Sequence, residues 1–245
     1  MNTETATGGS VSVMSWTERA ADRSPLMQQW RSRNVRQMKI MVEAARRLIA
    51  QKGSSFTTQE LAREAGVALQ TFYRHFGGKD QLLLATIEDM HAEMSERYAA
   101  DARDLPGPLA RLHYYVTSAL EGLDGTGAAA RAPQFITAEH WRLHQQFPEE
   151  MTLATQPIVD LFARELRAAQ EQGLIAPSDV DRSAELMVML VRTVYHHYAF
   201  KAKNEPAAAI AEHVWELCLQ GIGGRIDQAA QAENAGDGGD AMPPA

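Results

Sequence analysis

The segment from residue 57 to residue 83 restricts the fold of this chain more than any other segment does. It begins with Thr-Thr-Gln-Glu, in which the hydroxyl of Thr57 can cap a new helix while Glu60 reaches back to the N–H of the cap. Gly66 ends that helix after about two turns, and a second helical pattern runs from Leu69 to Phe76. Two short helices joined by a glycine turn are the sequence form of a helix-turn-helix.

The second helix of this pair has one apolar face and one polar face. Its positions i, i+3 and i+7 are apolar and are predicted to point inward; they are Leu69, Phe72 and Phe76. The opposite face carries side chains that can bond base edges in the major groove; they are Gln70, Thr71 and Arg74. We therefore predict that this helix reads DNA, with Leu69 also placed to touch a thymine methyl group.

The net charge of −7 conceals an uneven distribution of charge along the chain. Residues 31–80 contain ten Lys or Arg and four Asp or Glu, a balance of +6, so the rest of the chain carries −13. A basic module on an acidic body is the layout expected of a protein that touches DNA at one end. Four basic residues precede the helix-turn-helix, where they either reach phosphates or the minor groove or form an ordinary solvated face: Arg31, Arg33, Arg36 and Lys39.

Composition and motifs exclude several classes of protein. The 245 residues suffice for one or two domains with a buried core, and the single cysteine excludes an internal disulfide framework and a multi-cysteine metal site. The first 30 residues lack a signal-peptide pattern, and no strongly apolar, uncharged segment of 18 residues is present, so we expect a cytoplasmic protein without a membrane partner. No nucleophile elbow, phosphate loop or HExxH motif occurs, so we expect neither an enzyme nor a cofactor.

Helical periodicity dominates the rest of the chain, and no strand is predicted. A stripe of apolar residues that begins at Val35 predicts a long helix closed by Gly53. Another helix opens at Lys79, and Pro157 interrupts a later helical pattern, which predicts a kink or a restart of the helix there. The chain is therefore predicted to be all-α.

The run A-G-V-A-x-Q-T-F-Y-R-H-F-G-G-K-D-x-L, from residue 65 to residue 82, resembles the DNA-binding domain of the tetracycline-repressor (TetR) family of bacterial transcription regulators. The glycine of the turn, the Thr-Phe-Tyr-Arg-His-Phe segment and the Lys-Asp pair stand at the spacing of that family. The close resemblance covers roughly residues 31–100. Two residues depart from the family pattern: Ala68 cannot supply a hydroxyl cap to the recognition helix, and Gln70 replaces a frequent glycine.

The resemblance implies an N-terminal three-helix DNA-binding domain with a helix-turn-helix, followed by a C-terminal helical bundle for ligand binding and dimerisation. We place these domains at residues 25–79 and 80–223, between a disordered N-terminal extension (1–24) and a disordered tail (224–245). It also implies that four residues at matching positions hold the DNA backbone: Thr58, Tyr73, His75 and Lys79.

In the family the C-terminal bundle commonly encloses an effector site, which implies a small apolar effector here. Methionine and aromatic side chains suit the lining of such adaptable cavities. The predicted lining consists of Met90, Met94, Tyr114, Tyr115, Phe135, Trp141, Met187 and Tyr195. His140, Arg192 and His196 are candidate polar anchors, as are the two adjacent tyrosines, although each of them also fits a core or surface role.

The last two helices imply a homodimer interface, because in the family they pair with their copies. The helix from Asp181 is apolar on more than one face, so it must be covered on both sides. The predicted interface consists of Leu190, Val194, Ile210, Val214, Leu217 and Cys218. Periodicity alone also permits these residues to form the core of the monomer.

The sequence therefore predicts a ligand-responsive transcription regulator. Its expected form is a repressor that binds a palindromic double-stranded DNA operator as a homodimer and is released by a small apolar effector. Two alternatives stay open: a DNA-binding protein without an effector, and a metal-responsive regulator that uses the histidines at positions 140, 144, 196 and 197. No metal ligand is included in the predicted site.

Overall fold

The structure is a computed structural model that describes residues 15–124, 131–201 and 205–224. In those stretches the chain forms ten α-helices and no strand, which confirms the predicted all-α fold. The helices are α1 (Trp16–Arg23), α2 (Pro25–Lys52), α3 (Thr58–Glu64), α4 (Leu69–His75), α5 (Lys79–Asp101), α6 (Pro108–Glu121), α7 (Arg131–Gln146), α8 (Pro148–Glu171), α9 (Val180–Phe200) and α10 (Ala207–Gly221). Residues 1–14 and 225–245, most of the predicted extension and tail, lie outside the described residues.

Helices α2, α3 and α4 form a three-helix module around one apolar cluster. Helix α2 ends where Gly53 adopts a φ of 64°, a left-handed conformation that suits glycine. Helix α3 begins with the predicted capping box, in which Thr57 Oγ1 accepts from the Glu60 N–H at 3.2 Å and Glu60 Oε2 accepts from the Thr57 N–H at 2.8 Å. Each helix contributes a fully buried side chain to the cluster: Met41, Leu61 and Phe72.

Two features of the N-terminal part differ from the prediction. Helix α1 occupies part of the extension that is predicted to be disordered, and contacts of Asp22 fasten its last turn to α2. Gln28 Nε2 donates to the Asp22 carbonyl at 2.8 Å, and Arg31 forms an ion pair with the Asp22 carboxylate. Val35, the predicted start of the buried stripe, is 51% exposed, because the buried part of α2 begins only at Met41.

The C-terminal bundle is organised around α8, which packs against α5, α6 and α9, while α10 packs against α6. Its core contains the large side chains of Tyr115, Phe162 and Trp215. Helix α8 continues through Pro157 without the predicted restart. Helix α5 lies beside this turn, where Ser95 Oγ donates to the Pro157 carbonyl at 3.0 Å, so tertiary contacts hold a turn that lacks one N–H donor. None of the helices in the described stretches is long and apolar enough to cross a bilayer.

Helices α5 and α7 each belong to both parts of the molecule. On α7, Phe135 and Leu143 are buried in the apolar cluster of the three-helix module, whereas Ile136 and His140 line a cavity in the bundle. Helix α5 contributes its first turns to the module and its last turns to the bundle core. These two helices therefore connect the helix-turn-helix with the interior of the bundle.

Candidate functional site

Helix α4 is positioned by its turn and its buried side rather than by a side-chain cap. Its N-cap residue is Ala68, which makes no capping bond, as the sequence predicts. The turn before it closes through Gly66, whose φ is 65°. Phe72 and Phe76 are buried with ring centroids 6.0 Å apart, and they fix the inner side of α4.

The outer side of α4 presents the residues predicted to read bases. Gln70 and Arg74 are exposed, and Thr71 and Leu69 are partly exposed beside them. Neither Gln70 nor Arg74 forms a side-chain hydrogen bond or ion pair with any residue in the described stretches. Their donors and acceptors therefore remain available to an external partner. The four predicted residues lie together at one surface, and their contact with DNA stays a prediction.

Three of the four residues predicted to hold the DNA backbone lie at the edges of this surface. Tyr73 is 52% exposed, and its hydroxyl lies 3.4 Å from the hydroxyl of Thr58 across the turn. His75 Nε2 donates to the amide oxygen of Gln37 at 2.9 Å, which ties the end of α4 to α2.

Lys79 differs from these three because its ammonium group is directed into the module. Its Nζ donates to the Phe56 carbonyl at 2.7 Å and lies 4.5 Å from the centroid of the Phe56 ring. Burial lowers the pKa of Lys79. The side chain thus stabilises the module itself, whereas Arg33 on α2 is exposed and bonds to no described residue.

The bundle contains a cavity of about 340 Å³ bordered by α5, α6, α7, α8 and α9. Four of the eight residues predicted to line an effector site lie in its wall: Met90, Met94, Tyr115 and Tyr195. The rest of its apolar wall includes Ile158, Phe162, Val188 and Val191. The volume lies within the range of ~300–1,000 Å³ that is usual for small-molecule sites.

The other four residues predicted to line the site lie elsewhere. Phe135 is buried in the three-helix module, and Met187 is buried in the core of the bundle. Trp141 is 66% exposed, since it lies on the outer face of α7. The Tyr114 hydroxyl donates to the Asp101 carboxylate at 3.0 Å. Residue type predicted an apolar role, but the rotation of each helix decides which side chain reaches the cavity.

One end of the cavity is polar. It is formed by His91 of α5, His140 of α7, and Arg192 and His196 of α9. The ring centroids of His140 and His196 are 5.3 Å apart, and those of His91 and His140 are 6.2 Å apart. The sequence identified three of these residues as candidate anchors but missed His91, which stands alone in its helix without a neighbouring pattern that would place it inside.

Burial keeps the histidines at this polar end neutral. The pKa of His140 is lowered to about 3 and that of His196 to about 4. Burial is the larger cause for both, and the positive charge of Arg192 is the second. Burial likewise lowers the pKa of His91, whose Nδ1 donates to the Ala154 carbonyl at 2.9 Å. In the described stretches, no group of three or more His, Cys, Asp or Glu side chains is arranged to hold a metal ion.

The predicted dimer residues fall into two groups. Three are buried in the core of the single chain, because α10 packs against α6: Ile210, Val214 and Cys218. They are therefore packing residues of the monomer. Leu190 and Leu217 are instead 37% and 50% exposed, and Val194 is partly buried. The exposed face of α9 also carries Leu186 and Met189, each 49% exposed, which are not among the predicted dimer residues.

Comparison with known protein families supports a regulatory protein. The family model described as "Bacterial regulatory proteins, tetR family" matches residues 41–86, from the second half of α2 into α5. The HTH-type transcriptional regulator BetI of Agrobacterium fabrum is 27% identical over 189 residues, which cover 74% of this chain and 87% of that protein.

Solved structures show the same fold. A TetR-family transcriptional regulator from Pectobacterium atrosepticum has a TM-score of 0.66 at 19% identity, covering 78% of this chain and 96% of that one. FadR of Thermus thermophilus, a TetR-family transcriptional repressor in complex with lauroyl-CoA, has a TM-score of 0.61 at 22% identity. The match covers 77% of this chain and 96% of that one. The family model matches the module that exposes α4, and the fold extends over both parts of the molecule. The chain thus carries the DNA-binding module of the tetR family of bacterial regulatory proteins, within a fold that TetR-family transcription regulators share.

Proposed function

We propose that this regulator is a repressor that binds a palindromic operator as a homodimer and releases it when a small effector occupies the bundle cavity. The observation that carries the proposal is the position of α5 and α7. Both helices line the cavity, and both are packed into the three-helix module that exposes α4. A ligand that binds one arrangement of these helices more tightly than another can therefore change the position of α4.

In this proposal residues 25–79 read DNA, and residues 80–223 bind the effector and the second copy. The side chains that contact base edges are Leu69, Gln70, Thr71 and Arg74. The side chains that position the DNA backbone are Arg33, Thr58, Tyr73 and His75. Lys79 acts indirectly, because its bond to the Phe56 carbonyl holds the module that carries them. Because its target is chromosomal DNA, the protein acts in the cytoplasm.

An exposed apolar face supports the homodimer. Leu186, Met189 and Leu190 have the spacing i, i+3 and i+4, so they lie on one face of α9, and Leu217 is exposed on α10. Exposed apolar side chains grouped on one helix face are unfavourable in water and mark a contact with another protein surface. A second copy related by a two-fold axis would cover it and place two α4 helices in successive major grooves of a palindrome.

The cavity supports a compact effector with an apolar body. Its wall is built mainly from methionine, tyrosine, isoleucine, valine and phenylalanine side chains. FadR of Thermus thermophilus was solved with lauroyl-CoA. A cavity of about 340 Å³ here lies near the lower limit for small-molecule sites. An acyl chain or an aromatic body fits that volume, whereas the coenzyme part of an acyl-CoA would have to lie outside it.

Selection of genomic DNA tests the proposal. Purified protein is mixed with fragmented DNA of its source genome, and the retained fragments are sequenced. We expect the fragments to share an inverted repeat whose half-sites lie about one helical turn, or a multiple of it, apart. Arg74→Ala should weaken this enrichment, whereas Arg167→Ala, which changes an exposed side chain of α8, should keep it. Fragments without any shared repeat would contradict the proposal.

A further inference from the structure

The polar end of the cavity has an excess of positive charge and hydrogen-bond donors. Arg192 and His196 are spaced i, i+4 on α9 and therefore share one side of that helix. No described residue forms a hydrogen bond or ion pair with the Arg192 guanidinium, although burial lowers its pKa. An arginine stays protonated under these conditions, so its charge lies in an apolar cavity without a partner among the described residues.

His140 adds a second unsatisfied group beside this arginine. Its side chain is only 5% exposed, and its Nε2 is buried without a hydrogen-bond partner in the described stretches. Buried polar atoms in folded proteins nearly always have a partner, so an orphaned ring nitrogen at a cavity wall indicates a ligand contact. The His196 ring lies 5.3 Å away, centroid to centroid, and faces the same space.

Carboxylates that could neutralise this end are bound elsewhere. Among the described residues that line the cavity, Glu93 is the one carboxylate; it is 55% exposed and accepts from Arg46 at 2.5 Å at the rim. Glu139, next to His140 in the sequence, is bonded to Arg142 at 2.7 Å. The remaining charged group in the lining is Arg97, which lies 5.7 Å from the Tyr98 ring. The described residues therefore place no negative charge at the inner polar end of the cavity.

We propose that the ligand of this cavity is a compact organic anion, with its apolar body against the methionine and aromatic wall and its anionic group bound by Arg192, His140 and His196. This inference rests on the proposed function only in treating the cavity as the effector site. A carboxylate satisfies the guanidinium and the orphaned ring nitrogen together, since both can donate to its oxygens. An organic cation or a metal ion would instead meet the unpaired charge of Arg192 at close range.

Binding of an anion at this end should take up protons. Without ligand, His140 and His196 have pKa values of about 3 and about 4, so both are neutral near pH 7. The groups that face them from the surrounding helices are His91, His144 and Arg192, and none is negative. A bound anion would raise both pKa values, because it favours the protonated rings. Anion affinity should therefore increase as the pH falls toward the values of the free protein.

The test compares ligands that share a body and differ in head group. Binding of decanoate, decanol and decylamine, and of cinnamate, cinnamyl alcohol and cinnamylamine, is measured by calorimetry on the full chain. We expect the carboxylate of at least one series to bind about 10- to 100-fold more tightly than its alcohol, with the amine weakest. Carboxylate affinity should rise as the pH is lowered from about 7 to about 5.5, with proton uptake seen as a dependence of the heat on the buffer.

Matched variants locate the anionic group. Arg192→Gln should remove most of the preference for the carboxylate over the alcohol, whereas Arg182→Gln, an exposed arginine of the same helix, should keep it. The ratio of the two affinities within one variant is the readout, so a general loss of stability does not imitate the result. Carboxylate binding without proton uptake would overturn the protonation of His140 and His196 on binding. Equal binding of carboxylate and alcohol, preference for the amine, or no binding by any compound would overturn the anion site.

Operator release is measured separately, which separates this inference from the proposed function. If an alcohol or amine bound the cavity at least as tightly as the matching carboxylate and caused operator release, the anion site would be overturned while the effector function was upheld. A carboxylate that bound with the expected dependence on Arg192, but left operator affinity unchanged, would uphold the anion site and contradict the effector function.

Discussion

Arg142 of α7 donates to the Asp80 carboxylate at 2.8 Å, which ties this cavity-lining helix to the first turn of α5. The bonds to Asp80 and Glu139 raise the pKa of Arg142 above its ordinary value. Asp80 lies four residues beyond Phe76, the buried C-cap residue of α4. The same α7 helix places His140 in the cavity and Leu143 in the core of the three-helix module.

Replacing this arginine should weaken the coupling between cavity and DNA face. We expect Arg142→Gln to bind operator and ligand separately but to show a smaller change in operator affinity when ligand is added, because one link between α7 and α5 is lost. The measurement is fluorescence anisotropy of labelled operator with and without the tightest carboxylate of the panel. Arg167→Gln removes an ion pair at the surface of the bundle and serves as control. Unchanged coupling in Arg142→Gln would show that the link is unimportant.

Arg74 and Arg33 should differ in how they contribute to operator binding. Arg74→Ala should cost ~1–3 kcal/mol and relax the preference at one base position in each half-site, because its guanidinium is exposed on the base-reading side of α4. Arg33→Ala should weaken binding to all sequences alike. It should also reduce the slope of log affinity against log salt concentration by about one unit, as expected for the loss of one phosphate contact. Titrations at several salt concentrations against matched and mismatched operators distinguish the two. The same uniform loss in both variants would refute this division of roles.

Charge placed on the exposed apolar face should prevent assembly. Leu190→Glu and Leu217→Glu each put a carboxylate where a second copy is proposed to pack, so light scattering should show monomers. Operator affinity should fall although α4 is unchanged, because one copy can read only one half-site. Leu153→Glu, at a leucine that is 67% exposed on α8, should leave assembly intact. Monomers with full operator affinity would rule out the dimer as the unit that reads DNA.

Much of the DNA-binding module was predictable because its determinants are local. The capping box of Thr57 and Glu60 and the turn at Gly66 depend on residues a few positions apart. The burial of Phe72 follows from helical spacing alone. Lys79 is the exception, since its contact with the Phe56 carbonyl joins residues that are far apart in the sequence.

Less of the bundle was predictable because each of its helices has more than one apolar face. Val214 and Leu217 were both predicted to lie in the dimer interface. Helix α6 covers Val214, however, and leaves Leu217 50% exposed. Met90 and Met187 are the same residue type, but only the first faces the cavity. Such differences depend on how the helices are rotated against one another, which short-range sequence patterns do not specify.

The stability of the folded chain should fall with decreasing pH because of the buried histidines. The folded pKa values of His140 and His196, about 3 and about 4, lie below the value of about 6.5 in an unfolded chain. Between these values the unfolded state binds protons that the folded state does not, so the contribution is complete above pH 6.5 and is lost as the pH falls. Each histidine lowers the free energy of unfolding by at most about 1.4 kcal/mol per pH unit.

Denaturant unfolding from about pH 7 to about pH 5, where most carboxylates stay ionised, measures this slope. His140→Gln should reduce the slope, whatever its effect on stability at pH 7. His213→Gln, at a side chain that is 74% exposed on α10, should leave the slope unchanged. A slope in His140→Gln equal to that of the unaltered protein would mean that His140 is not held neutral by burial.

Coupling between the cavity and the DNA face is tested most directly by measuring it from both ends. The affinity of the tightest carboxylate is determined for the free protein and for the protein saturated with operator, and the operator affinity is determined with and without that carboxylate. Because coupling free energies are reciprocal, the factor by which operator weakens ligand binding must equal the factor by which ligand weakens operator binding. We expect both factors to agree and to lie in the range of about 5- to 150-fold. A ligand that fills the cavity with equal affinity in both forms would contradict regulation through this site.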